Sequence, residues 1–416
     1  MNRMEADPKH MLAFQAGKLG PLQLRNRFIR CAAFEGMTPA GQVSPMLIAH
    51  HKEQAAGGAA MTTVAYCSVA KDGLTFADQM VMDNDRAKQL RPLTDAVHAE
   101  GAAAALQIGH AGYFGSKRAS GVKPLGASRV FCTYTVTWPK VAGPSDLDRL
   151  VEDFGRSARL ASEAGFDAVE LHLGHGYLLS QFLTPYTNRR KDEYGGSLEN
   201  RLRFPLRVLT RVREALGTKC ALLVKTNLED GFKGGLDVNE SAIVVQALKD
   251  GGADAVVLSG GFVSRTPFYM LRGELPIAEM LRNEKDTFRK LGLKLFGRIM
   301  VDEYEFEPMF FFEPALRVRK AVRDFPLVLL GGIRSLKHLK TAEEAGFEFV
   351  SLGRPLIMEP DLINRMARGE SQASLCEPCN KCVGEMENGG IRCAHPELGK
   401  KSTSLWPFGF GTEPRT

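Results

Sequence analysis

The chain has 416 residues, 44% hydrophobic and 25% charged, which are ordinary proportions for a globular protein and leave room for one large core. Its formal charge of +6 is spread along the sequence with no basic stripe, and no apolar run approaches the roughly 18 residues a membrane span needs, so no nucleic-acid or membrane partner is expected. The opening residues Met1-Asn-Arg-Met-Glu-Ala-Asp7 lack an apolar signal core, so the expected location is cytoplasmic.

In chain order, Phe28–Ala32 is the first short apolar run that reads as a strand. Gln54-Ala-Ala-Gly-Gly-Ala-Ala-Met-Thr-Thr63 and Ala99-Glu-Gly-Ala-Ala-Ala-Ala-Leu-Gln107 each read as a helix end, a glycine able to take a left-handed cap, and then a strand. The same phrase returns more clearly as Glu163-Ala-Gly-Phe-Asp-Ala-Val-Glu-Leu-His172, Asp250-Gly-Gly-Ala-Asp-Ala-Val-Val-Leu-Ser259 and Glu344-Ala-Gly-Phe-Glu-Phe-Val-Ser-Leu-Gly353. With Ala221–Asn227 and Leu327–Leu330 there are eight strand candidates separated by helical patterns, which is the arithmetic of a closed (β/α)8 TIM barrel. A doubly wound open sheet fits less well, because no strand is followed by Gly-x-Gly-x-x-Gly opening a helix. The stretch between strands 6 and 7 is about twice the ~30 residues that such a unit averages. The expected organisation is therefore a barrel over residues 1–370, with a long insertion or capping segment at 262–326, followed by a cysteine-rich C-terminal extension at 371–416.

The loop expected to begin at His172 reads His172-Leu-Gly-His175-Gly-Tyr177. In parallel α/β proteins ligands lie beyond the carboxyl ends of the strands, so these side chains face substrate. Two imidazoles and a phenol there could oppose a developing oxyanion and deliver a proton. Two satisfied structural histidines, or a zinc pair lacking an obvious third ligand, are the alternatives.

The residues that follow decide between them. Gln181-Phe-Leu-Thr-Pro185, Asn188-Arg-Arg-Lys-Asp-Glu-Tyr-Gly-Gly-Ser197 and Asn200-Arg-Leu-Arg-Phe204 resemble the old yellow enzyme family of FMN-dependent oxidoreductases. The branch resembled is the one holding bacterial ene reductases, 2,4-dienoyl-CoA reductase and trimethylamine dehydrogenase. Leu24-Arg-Asn-Arg27, Leu106-Gln-Ile-Gly-His-Ala-Gly112, Val224-Lys225 and Leu352-Gly-Arg354 extend the likeness over roughly residues 12–262 and 327–368. The resemblance implies an FMN site in which Cys31, Ala32, Ala33 and Phe34 run along the flavin edge and Ala65 or Tyr66 lies beneath the ring. It places Gln107 on the pyrimidine edge, Lys225 beside N1 and O2, and Gly331, Gly332, Gly353 and Arg354 around the phosphate. It likewise implies His172 and His175 as donors to a substrate carbonyl, and Tyr177 as proton donor.

Several positions depart from the family's pattern. Phe34 stands where many relatives place a hydroxyl or thiol that touches flavin O4, Ala32-Ala33 replaces a bulkier pair, and Lys225 replaces the more frequent arginine. The implied activity is hydride transfer from NADH or NADPH through FMN to a small molecule with an activated double bond. An amine dehydrogenase or demethylase, a Schiff-base lyase on Lys225 and an electron-transfer flavoprotein are the other readings.

Cys376-x-x-Cys379-Asn-Lys-Cys382 with Cys393 places four thiols within eighteen residues, a spacing suited to metal. The dienoyl-CoA reductase branch carries a four-iron cluster on a similar run, but there the third gap is usually one residue longer and a further nucleotide-binding portion follows. An iron–sulfur cluster, zinc and no metal all stay open. The tail after Cys393, ending Ser404-Leu-Trp-Pro-Phe-Gly-Phe-Gly411, reads as a flexible or subunit-contacting extension, which leaves a homo-oligomer open.

Overall fold

A computed structural model of the protein describes residues 8–284, 287–300 and 302–404. Eight parallel strands close into a barrel: β1 (Phe28–Arg30), β2 (Met61–Ser68), β3 (Ala103–Gly109), β4 (Ala168–Leu173), β5 (Ala221–Asn227), β6 (Ala255–Ser259), β7 (Leu327–Leu329) and β8 (Phe349–Leu352). They follow one another around the barrel in chain order, and β8 closes on β1 through Val350↔Phe28 and Leu352↔Arg30. The strands are apolar on both faces because helices cover the outside. Those helices include α1 (Pro45–Ala56), α2 (Asn84–Ala99), α3 (Pro144–Glu163), α4 (Leu198–Leu216), α5 (Val238–Asp250), α6 (Phe312–Ala321) and α7 (Leu336–Glu344). The repeated glycine phrase works as expected: Gly58, Gly101, Gly165, Gly252 and Gly346 all hold left-handed φ between a helix end and the next strand.

Strand alternation sorts side chains between two cores. Val169, Leu171, Leu222 and Val224 point outward into the helix layer, whereas Ala105, Ala168, Leu223 and Val257 fill the barrel's floor. Leu19 and Leu24 join that floor from a two-stranded antiparallel ribbon, Gly17–Leu19 with Leu22–Leu24. Two residues above the floor, the same inward phase brings Gln107, Glu170 and Lys225 into the barrel, and His172 lies above Glu170. β4 extends past the expected loop start, because His172↔Lys225 and Leu173↔Thr226 continue the pairing with β5. β1 and β7, conversely, end at Arg30 and Leu329, short of the expected Ala32 and Leu330.

The long β6–β7 connection contains the barrel's own sixth helix, α6, which packs against α5. Before it come two additional helices, Ile277–Asn283 and Thr287–Met300, packed on one another. The C-terminal extension folds back onto the mouth. Arg282 pairs with buried Glu385, Glu274 N donates to Pro378 O at 3.1 Å, and Ile391 N donates to Glu35 O at 2.8 Å. The tail from 405 onward and the first seven residues lie outside the described residues. Among the described residues no helix is long and apolar enough to cross a membrane.

Candidate active site

The carboxyl ends of the strands bring most of the expected residues together. β4 delivers His172 fully buried, and the turn after it delivers His175 and Tyr177. The His172 ring lies 4.0 Å from the Tyr177 ring and 5.1 Å from that of His175. His175 holds a left-handed φ of 57°, which its backbone N–H stabilises by donating to Asn227 Oδ1 at 3.0 Å, and its Nε2 pairs with Ser259 Oγ at 2.7 Å. Gln181, from the long family-like motif, fixes this loop by donating to Gly176 O at 2.7 Å and Ala111 O at 3.0 Å.

Burial, and then the charges of His175 and Lys225, hold His172 neutral, well below the usual imidazole range. His175 is pushed down to about 3 by burial and Lys225. A neutral imidazole has one donor and one acceptor nitrogen, and His172 Nδ1 is buried without a hydrogen-bond partner. An orphaned buried nitrogen costs free energy unless a ligand completes it. Tyr177 is held well above the usual phenol range, chiefly by burial. The Tyr66 ring meets that of Tyr177 edge-on at 5.0 Å, and the Tyr66 hydroxyl bonds Thr75 Oγ1 at 2.6 Å. The sequence expectation did not contain this Tyr66–Thr75 hydroxyl pair.

Below the histidines, Glu170 Oε1 accepts from Lys225 Nζ at 2.8 Å and from Gln107 Nε2 at 2.7 Å. Glu170 was missed, although its inward phase two residues before His172 was readable in the strand. Lys225 Nζ is thus committed to Glu170, whereas a Schiff-base reading needs that nitrogen free for substrate. Ala65 and Tyr66 sit where the β2–β3 register shifts between Val64 and Cys67, a bulge that turns them to the mouth. They join Phe114, Tyr177 and Phe262 in one apolar cluster, with Ala32 and Phe34 packed at its edge. Phe34 stacks on Phe76 at 4.7 Å. Cys31 Sγ lies against Gly353, where an added Cβ would stand 2.9 Å away, and burial pushes its thiol up.

Behind these segments lies a buried network that sequence patterning did not reveal. Glu35 accepts from Arg30 Nη1 at 2.6 Å and from Ala65 N at 3.1 Å, Arg30 also meets His50 Nε2 at 3.2 Å, and His51 Nδ1 meets Thr62 Oγ1 at 2.7 Å.

The expected phosphate residues are more engaged. Gly331 and Gly332 adopt left-handed φ, and a Cβ there would press on Phe311 and on Met309 N. Arg354 donates to the carbonyls of Leu271 and Arg272 and to Asn380 Oδ1. Its guanidinium also lines a small cavity with Cys376, Cys379, Cys382 and Cys393. Burial pushes the Cys376 and Cys382 thiols up to about 12, neighbouring cysteines add to this, and Arg354 opposes it. All eight cysteines are free. The four thiols thus surround one space, but among the described residues no three His, Cys, Asp or Glu side chains are grouped to hold a metal ion.

Together these features define a TIM barrel with a largely buried polar site at the carboxyl ends of its strands. A buried amide, a cation and a carboxylate lie at the barrel centre, an apolar bulge borders it, and two neutral imidazoles and a phenol stand above. Residues 13–264 match the NADH:flavin oxidoreductase / NADH oxidase family, and the chain belongs to it. It is an FMN-dependent NAD(P)H oxidoreductase of the old yellow enzyme family.

Among curated proteins, it is 44% identical to a 4,4'-dithiodibutanoate disulfide reductase of Rhodococcus erythropolis, over 91% of this chain and 94% of that one. It is 28% identical to an NADH oxidase of Thermoanaerobacter brockii, over 93% of this chain but only 56% of that longer protein. The old yellow enzyme homologue from Zymomonas mobilis superposes with a TM-score of 0.71 at 22% identity, covering 94% of this chain and 99% of that one. A 2-naphthoyl-CoA reductase gives 0.79 at 21%, covering 94% and 58%, and at such identities these two likenesses support the fold alone.

Proposed function

We propose that this enzyme reduces an activated carbon–carbon double bond, of the enone or enoate type. The observation that carries the reading is the pair of buried neutral histidines, one with an orphaned nitrogen, packed against a phenol. Most of the residues fit the expected cofactor: Gln107 and Lys225 suit the polar edge of an isoalloxazine, the Ala65–Tyr66 bulge with Ala32 and Phe34 suits its rim, and the Gly331, Gly332 and Gly353 backbone would take the phosphate, whereas Arg354 is already engaged by Leu271, Arg272 and Asn380. FMN, when bound, supplies the hydride that it has accepted from NAD(P)H.

The protein's own part is electrostatic and prototropic. Hydride addition at the β-carbon moves negative charge onto the carbonyl oxygen. His172 and His175 would donate hydrogen bonds there, each worth about 2.7–4 kcal/mol where charge develops. Tyr177 would place a proton on the α-carbon, and its raised affinity for that proton means that only a strong carbanion-like base removes it. The Tyr66–Thr75 hydroxyl pair, which neighbours Tyr177, would return the proton once Tyr177 turns its hydroxyl to Tyr66. The apolar cluster of Phe114, Phe262 and Tyr113 excludes water from the carbanion.

A second reading is reduction of a disulfide, favoured by the 44% identity with the Rhodococcus enzyme. There the histidines would stabilise a departing thiolate, and no proton need reach carbon. Tyr177→Phe separates the two. In anaerobic stopped-flow measurements it is expected to slow flavin reoxidation by an enone at least tenfold while leaving flavin reduction by NAD(P)H and reoxidation by a disulfide within about twofold (~0.4 kcal/mol in barrier). Undiminished enone reduction would remove Tyr177 from the chemistry, and reoxidation by disulfides alone would select the second reading.

A further inference from the structure

We propose that Arg265, with Arg189 beside it, forms an anion subsite at the pocket rim that holds the remote carboxylate of the substrate to be reduced. This rests on the reading of the mouth as the reducing pocket.

The apolar cluster that begins at Ala65, Tyr66 and Tyr177 runs through Phe262 and ends in the partly buried Tyr186, Phe232 and Val263. Arg265 lies on that end. Its guanidinium stands 4.9 Å over the Tyr186 ring and 5.1 Å over the Phe232 ring, and Nη1 meets Tyr186 OH at 3.3 Å. Arg189 stacks on the same Tyr186 ring at 5.7 Å, and its Nε donates to Tyr186 O at 3.1 Å. Two aromatic rings fix the plane of the Arg265 fork, so a carboxylate would meet it with less ordering cost than at a free side chain.

The carrier loop is tied to the catalytic one. Val263 N donates to His175 O at 3.0 Å, Arg265 N donates to Phe262 O at 2.9 Å, and Ser264 Oγ bonds the buried Tyr113 hydroxyl. Thr133 Oγ1 donates to Ser264 O at 3.3 Å from the opposite wall. The cation is therefore placed relative to His175 by a short, hydrogen-bonded stretch.

Charge accounting singles these two arginines out. The neighbouring Arg190, Arg201, Arg207 and Arg211 are each paired with a carboxylate. Among the described residues neither Arg189 nor Arg265 has an acidic partner within salt-bridge distance. Two like charges sharing one ring repel, and a bound anion relieves both at once. The ligand class is a small acid whose reducible bond lies several atoms from its carboxylate.

The test uses the FMN-loaded enzyme with saturating NAD(P)H and two matched probe pairs: N-(3-carboxypropyl)maleimide with its methyl ester, and 4,4'-dithiodibutanoate with its dimethyl ester. For the wild type, kcat/KM is expected to favour the acid at least tenfold in the pair that the enzyme reduces. Arg265→Met keeps the stem and loses the charge. It should collapse the acid-over-ester ratio about tenfold through the KM of the acid, and Arg265→Lys should keep part of the preference. Equal turnover of acid and ester by the wild type would overturn the subsite alone. A variant whose defect lies in the KM for NAD(P)H would overturn it in favour of a nucleotide phosphate. A flavin that is reduced but reoxidised by neither pair would overturn the functional reading beneath it.

Discussion

Replacing Glu35 with leucine would strand the buried Arg30 charge beside Ala65. Its carboxylate accepts from Arg30 Nη1 at 2.6 Å and from Ala65 N at 3.1 Å, and both arginine and glutamate are almost completely buried. Breaking such a pair from one side costs about 3–5 kcal/mol, and the orphaned Ala65 N–H adds about 1–3 kcal/mol. For 416 residues at about 2.1 cal/mol/K each, the unfolding entropy is roughly 0.9 kcal/mol/K, so 4–8 kcal/mol lowers Tm by about 5–9 °C. The double variant Arg30→Met/Glu35→Leu removes both charges. It should recover the pair term, leaving a deficit of only about 1–3 °C. Differential scanning fluorimetry of the FMN-loaded proteins measures both. A single-variant loss below 2 °C, or a double variant as damaged as the single one, would refute the stranded-charge argument.

Stability should fall as pH drops from 7 to 5. His50, His51, His172 and His175 are all held below their usual pKa by burial, so below about pH 6.5 the unfolded chain binds protons that the folded one refuses. Each histidine then costs about 2 kcal/mol by pH 5. Asp230, pushed up to about 6 by burial, opposes this by roughly 1–2 kcal/mol, because there the folded form takes up the proton, and the raised Glu35 acts in the same sense. The net expectation is a Tm several degrees lower at pH 5 than at pH 7, and a flat or rising profile would contradict it. Cys379→Ala is expected to lower Tm while NAD(P)H-dependent turnover per bound FMN stays within about threefold (roughly 0.65 kcal/mol), because the extension is a packed part of the barrel's mouth. Iron, sulfide and zinc analysis of anaerobically purified protein identifies any occupant, and a loss of turnover with FMN retained would give the cysteines a part in catalysis.

The barrel was legible because its repeat is local: a helix end, a left-handed glycine and an apolar strand recur in the phrases ending at Thr63, Gln107, His172, Ser259 and Gly353. The His172–Tyr177 cluster was legible because one short loop carries all of it. What stayed hidden depends on partners far apart in sequence. Glu170 gains its meaning from Gln107 and Lys225 on neighbouring strands. The Arg30–Glu35–His50 network assembles around Ala65, and no periodicity marks a buried ion pair in a segment that otherwise reads as loop. Nothing in the sequence pattern singles out Arg265, because its ring partners Tyr186 and Phe232 lie far from it along the chain. The 262–326 stretch holds both the two added helices and the barrel's own sixth helix, α6, and no sequence periodicity separates the one from the other.

The way the 376–391 segment meets the exit of the first strand sets an order of assembly. Gly36 holds a φ of 67°, and a Cβ there would overlap the Met386 carbonyl, while Ile391 N closes on Glu35 O. The exit of the first strand therefore reaches its final packing only after a segment some 350 residues downstream has been synthesised. β1 also waits for β8 to close the barrel, so a nascent chain holds that edge open until residues 349–352 have been made. A polypeptide cut after residue 370 could close the barrel, but Gly36 would then face solvent and Arg354 would lose Asn380. In this protein a segment made late finishes the exit of the first strand.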